Sequence, residues 1–303
     1  MTMPNAIFRI FALSALILTT SFPLYAPAQG QTYSVNGAPI EVSLLPEKSV
    51  IMLGEPIHLS FIVRNLSGTD LYFREGGDYR NRLGRPESYD VRAVRSDGRQ
   101  VPKPEVLSAM GGLSGYEEVP ARAAATCHLF LPHWAPFEET GIYTITCKRT
   151  LEFLGPEAEG LLSVGISVPL QKLLGPEGLL SVGISVPVQT SAQIVVVESD
   201  HEKMGEIIEK IGVEMLDEDY ERARLASLSL DYVNDERAIP HFVKAIILGN
   251  ERLAQSFLSS LDKYSADSVI EGIKKGMKIS PEEMRRAGSY PALYIYSFFF
   301  AYE

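Results

Sequence analysis

The sequence predicts an antiparallel β-sandwich followed by a helical domain, and three observations predict it. From about Ile40 to Glu198 apolar residues recur at every second position, from Ser199 onward they recur at helical spacing, and Gly, Pro, Asn and Asp cut the first region into short segments. The 303 residues, 46% apolar and 22% charged, are enough for one or two sizeable cores, and this composition excludes a disordered chain. With 28 Lys+Arg against 38 Asp+Glu the net charge is −10. That excess of anion argues against nucleic acid and anionic lipid as partners, since both are held by clustered cations. Two cysteines are too few for a disulfide-dense scaffold or a four-thiolate zinc site.

Residues 1–28 read as a cleavable signal peptide. Arg9 precedes the apolar run Ile10 to Leu18, and Ala26-Pro27-Ala28 offers small residues to a peptidase. Thr19, Thr20, Ser21 and Pro23 break the run, which falls short of the roughly 20 apolar residues of a membrane span. A retained anchor is the alternative. The expected location is therefore the periplasm or the outside of the cell, with no stable membrane span after cleavage.

Residues 29–198 carry the sandwich. Ile57, Leu59, Phe61 and Val63 alternate with His58, Ser60, Ile62 and Arg64, a strand buried mainly on one face, and Asn65 to Asp70 supplies a turn. Further strands are expected at Asp70 to Arg74, Ser88 to Arg95, Thr126 to Leu131, Ile142 to Arg149 and Ala192 to Glu198. The stretch Gly54 to Asn65, with Trp134 and Gly141-Ile142-Tyr143-Thr144-Ile145, resembles the immunoglobulin-like domains of exported bacterial proteins. The intracellular proteinase-inhibitor family of Bacillus is similar in its sandwich pattern. The first resemblance implies that Tyr143 folds back to hydrogen-bond the chain just upstream and closes a corner of the sandwich; a binding-site tyrosine is the other reading. Trp134 is a core residue or a ligand platform.

Cys127 and Cys147 lie on successive strands. If the chain turns back around Phe137 the two thiols face one another, and a disulfide there would add roughly 3 kcal/mol by loop-closure entropy in an oxidising compartment. The alternative is a pair of buried free thiols on strands of opposite sheets.

Gly160 to Pro169 (GLLSVGISVP) recurs letter for letter at Gly178 to Pro187. Identity this complete marks a tandem duplication of one strand rather than a solenoid. Leu162, Val164, Ile166 and Val168 alternate with small polar residues, so both copies, 160–169 and 178–187, encode the same half-buried strand and compete for one slot in a sheet. Deleting residues 160–177 restores a single copy and is expected to leave a folded, soluble protein; loss of soluble expression in that deletion would refute the duplication reading.

Residues 199–303 are helical. Ser199-Asp200 caps a helix bearing Met204, Ile207, Ile208 and Ile211, and Asp217 starts a second bearing Ala223, Leu225, Ala226, Leu228 and Leu230. Asp235 to Val243 contains Ala238-Ile239-Pro240, with proline in the first turn where amides lack helical partners. Arg224-Leu225-Ala226 returns at Arg252-Leu253-Ala254, Ile239 and Val243 return as Val269 and Ile273, and Ser280 to Glu283 reads as a capping box. This region resembles HEAT-type repeats, which implies a short stack of helical hairpins over about 217–303. The chain ends on an aromatic run in which Tyr290, Tyr294, Tyr296, Phe298, Phe299 and Phe300 form either the buried face of a last helix or an exposed patch for a protein partner.

No spacing of residues fixes a reaction. His58, His128, His133, His201 and His241 form no metal pair of recognised spacing, the run Asp217 to Glu221 lacks the glycine and terminal glutamate of a calcium loop, and neither a nucleophile elbow nor a phosphate or dinucleotide fingerprint occurs. No catalytic, metal or cofactor residue is therefore expected. The expected function is a non-enzymatic exported protein-interaction or scaffolding module with an unidentified protein partner in the cell envelope. The alternative is an inhibitor of an exported protease acting through the sandwich loops. Oligomeric state leaves no trace in the sequence.

Overall fold

Period two in the sequence becomes two facing sheets. The computed structural model describes residues 30–78, 83–104, 116–154, 184–248 and 263–278. Within them the strands are β1 Gln31–Val35, β2 Ala38–Pro46, β3 Val50–Met52, β4 His58–Asn65, β5 Leu71–Arg74, β6 Gly77–Asp78, β7 Leu83–Gly84, β8 Asp90–Arg95, β9 Tyr116–Val119, β10 Ala124–Phe130, β11 Gly141–Phe153 and β12 Ile184–Val197. The helices are α1 His201–Glu214, α2 Tyr220–Tyr232, α3 Ile239–Ile247 and α4 Ala266–Gly276.

The first sheet runs β1-β2-β4-β10-β7-β6 and the second β3-β12-β11-β5-β9, with β8 also paired to β11. Most pairs are antiparallel, but β3 lies parallel to β12 and β7 parallel to β10, so the purely antiparallel expectation is corrected to a mixed arrangement. One core serves both sheets: Val42, Leu44, Leu59, Phe61 and Leu129 from the first meet Phe73, Val91, Ile145, Leu151, Phe153 and Ile194 from the second. Trp134 is buried in it at 1% exposure, and its indole N–H donates to the Tyr89 carbonyl at 3.0 Å. Tyr143 donates its hydroxyl to the Glu139 carbonyl at 2.8 Å, four residues upstream, which is the corner geometry rather than a binding-site one.

The last four residues of the second copy of the repeat enter the fold, residues 178–183 lying outside the described residues. These four, Ile184-Ser185-Val186-Pro187, open β12, which then continues without a break through the strand expected at Ala192 to Glu198. The first copy, residues 160–169, lies outside the described residues, as do the leader 1–28, the capping box at Ser280 and the aromatic residues Tyr290 to Phe300. On β12 the backbone N–H and C=O of Gln189 face away from β11, and the Tyr33 hydroxyl takes both, accepting from the amide at 2.8 Å and donating to the carbonyl at 2.7 Å. By the alternation of an antiparallel ladder Pro187 shares that outward orientation, at a position where a missing N–H costs no pairing.

The helices do not form the expected HEAT-like repeat stack. Among the described residues they are four short segments in a mostly β molecule, and α1 and α2 pack together against the outer face of the first sheet instead of stacking on like units. Their core, built from Met204, Ile208, Ile211, Ala226 and Leu230, takes in Met52 of β3. A return of apolar positions every 28 to 30 residues reports amphipathic helices in succession; the same stripe packs equally well on a sheet. Asp200 caps α1 by accepting from the Glu202 and Lys203 amides, and Asp219, two residues beyond the expected Asp217, caps α2. Pro240 stands in the first turn of α3. Helix α4 lies so close to α3 that a Cβ on Gly276 would come within 2.6 Å of the Pro240 carbonyl oxygen. Among the described residues no helix is long and apolar enough to cross a membrane.

Candidate functional site

The junction between the first sheet and α2 gathers the side chains with the most chemistry. Alternation along β4 turns Leu59, Phe61 and Val63 into the core and leaves His58 and Ser60 on the outer face. Register places Phe130 of β10 opposite His58, and His128 opposite Ser60, on that same face. The turn Leu131–His133 then adds His133. The rings of His58 and Phe130 lie 5.1 Å apart, those of Phe130 and His133 5.0 Å, and Tyr232 of α2 stands edge-on to Phe130 at 5.7 Å. Below them a cavity of about 300 Å³ opens between the sheet and the two helices, reached by His58, His128, Ile207, Ile211 and Ser229.

His58 Nε2 lies 2.8 Å from the Ser229 hydroxyl oxygen, a distance within the range of a nucleophile and its base. Two further observations describe the surroundings of the pair. Ser229 donates its proton to the Leu225 carbonyl at 2.8 Å, the back-bond of a serine within a helix, so it accepts from His58. His58 Nδ1 is buried and has no hydrogen-bond partner among the described residues, whereas a catalytic imidazole is oriented through that second nitrogen. Burial, aided by the neighbouring His128 and His133, lowers the His58 pKa to about 4. Burial also pushes His133 down. His128 Nε2 faces the Glu221 carboxylate at 4.0 Å.

A second polar cluster lies inside the sandwich. Arg149 shares the inward parity of Tyr143, Ile145, Cys147 and Leu151 on β11 and is only 9% exposed. Its guanidinium donates to the Tyr89 hydroxyl at 2.6 Å and to the carbonyls of Glu75 and Arg74, and lies 4.5 Å from the Tyr89 ring centroid. Tyr89 donates in turn to the Glu75 carbonyl at 2.7 Å. Gly76 permits this approach: its φ is +76°, and any Cβ there would collide with the guanidinium. The sequence reading missed Arg149 as an inward residue by treating it as the end of a strand that in fact runs to Phe153. Its odd-numbered parity with Tyr143 and Ile145 was the available signal.

Cys127 and Cys147 form no disulfide, and both are buried. The facing arrangement assumed a hairpin around Phe137, but β10 pairs with β4 in the first sheet and β11 with β12 and β8 in the second, so the chain crosses between sheets there instead of folding back on itself. Burial raises both thiols to about 12. They are expected to resist a thiol reagent at neutral pH in the native protein and to give two free thiols per chain once denatured; fast labelling of the native chain would contradict their burial.

Among the described residues no group of three His, Cys, Asp or Glu is placed to hold a metal ion. Asp217 and Asp219 serve the helix start instead: Asp217 accepts from the Asp219 amide at 2.8 Å, and Asp219 from the Glu221 amide at 2.9 Å. The arginines of the β8 region meet acids on the surface, Arg92 with Asp90 at 2.9 Å and Arg99 with Asp97 at 2.9 Å. The chain matches no protein-family model and no curated protein.

Proposed function

We propose that this chain is an exported, non-enzymatic protein-interaction or scaffolding module of the cell envelope, built on an immunoglobulin-like sandwich with helices docked on one face. The observation that carries the reading is the Ser229 contact. The one serine–histidine pair at hydrogen-bond distance among the described residues has its proton committed to Leu225 and its imidazole unoriented, so it joins sheet to helix rather than activating a nucleophile. The buried arginine supports the same reading, since Arg149 is spent on backbone carbonyls and a tyrosine of its own core. The leader layout of residues 1–28 supports export, and the net charge of −10 favours solubility over attraction to polyanions.

The test pairs a chemical probe with a binding measurement. A fluorophosphonate probe is expected to leave Ser229 of the folded chain unlabelled, and cross-linking in the native envelope is expected to capture a protein whose binding survives Ser229→Ala. Labelling that disappears in Ser229→Ala would replace the interaction reading with a serine hydrolase.

A further inference from the structure

We infer that the junction between the first sheet and α2 is an acid-released latch: protonating His58 frees α1 and α2 from the sheet while the sandwich stays folded. The latch is the ring cluster of His58, Phe130, His133 and Tyr232 together with the hydrogen bond from His58 to Ser229, which spans 171 residues of sequence. His58 and Phe130 do not belong to the core shared by the two sheets, so opening the junction solvates the imidazole without disturbing that core. Opening is therefore the least costly way for the protein to place a charge on His58.

The groups facing the latch set its sign. From the sheet side His128 and His133 present further imidazoles, and Lys48 is neutralised by Glu55 at 2.5 Å. From α2, Glu221 faces His128 at 4.0 Å, a counter-ion for that ring, and Arg222 pairs with Asp217 at 3.3 Å. From α1, Lys210 pairs with Glu214 at 3.6 Å. Glu47 also lines the cavity. Among these contacts Glu221 falls to His128, and the Ser229 oxygen that His58 meets is neutral, so among the described residues the imidazolium at position 58 has no ion pair to offset its burial.

Closed, His58 takes its proton near pH 4; opened and solvated, near 6.5. The open form therefore binds more protons between those values, the latch is fully closed above about 6.5, and it loosens as pH falls through that window. Hydrogen exchange of the full chain, corrected for intrinsic rates, tests this at pH 7.5 and 5.0. Peptides of α1 and α2 are expected to lose about 30-fold in protection at the lower pH while those of β11 and β12 keep theirs. The single tryptophan, Trp134, 6.1 Å from His133 and within the sandwich core, is expected to retain buried-type emission. His58→Gln removes the titration and is expected to abolish most of the loss. Ser229→Ala, which leaves the imidazole in place, is expected to keep it. Equal loss in α2 and β11, an unchanged response in His58→Gln, or a response lost in Ser229→Ala would each overturn the latch.

Discussion

Replacing Arg149 with alanine is expected to destabilise the fold by about 3–5 kcal/mol, seen as a lower denaturant midpoint with little change in slope. The magnitude follows from what the guanidinium satisfies. It closes the carbonyls of Arg74 and Glu75 and the hydroxyl of Tyr89 within a water-poor core, and it covers the Tyr89 ring. Alanine leaves the Arg74 carbonyl without that donor and opens a cavity beside Tyr89. Arg149→Lys retains the charge but supplies one ammonium where a planar fork reached three acceptors, so it should recover only part of the loss. An unchanged midpoint in Arg149→Ala would mean that the cluster contributes nothing to stability.

Trp134→Ala is the other large effect, about 3–5 kcal/mol for a fully buried indole. Trp134→Phe keeps a ring in the core but loses both the bond to the Tyr89 carbonyl and part of the indole's volume, so it should cost less than alanine, about 2 kcal/mol. Arg149 and Trp134 hold opposite ends of the same residue, the hydroxyl and the backbone carbonyl of Tyr89. The double variant Arg149→Ala/Trp134→Ala should therefore cost less than the two single losses together, and strict additivity in denaturant melts would show that Tyr89 does not couple them.

What the sequence disclosed depended on whether a pattern was local. The strand at Ile57 to Val63 and the one from Ile142 could be read because one buried face writes period two into adjacent residues. The sequence places β12 in two pieces, one in the second copy of the repeat and one at Ala192 to Glu198, yet Val186, Val188, Thr190, Ala192 and Ile194 all point inward in one uninterrupted alternation. Helices were legible and their assembly was not. The apolar stripes of α1 and α2 are satisfied by each other and by Met52 and the outer face of a sheet, and no stripe names its partner. The thiol pairing failed for a related reason: adjacency of β10 and β11 in sequence does not place them in the same sheet. The junction lay further out of reach, since His58 and Ser229 meet across most of the chain. Its one sequence trace is Phe130, an apolar residue at an outward position of β10, which announces that something covers that face.

The outer edge of β12 has a bearing on how this protein survives being made. An uncovered edge strand is a template on which a second, unfolded chain can add itself, and a chain that carries one strand sequence twice brings a perfectly matched intruder with it. The Tyr33 hydroxyl occupies the amide and carbonyl of Gln189, and Pro187 offers no donor at the neighbouring outward position. The duplicated decapeptide ends in proline in both copies, Pro169 and Pro187, so whatever event doubled the strand doubled its safeguard against self-recruitment as well.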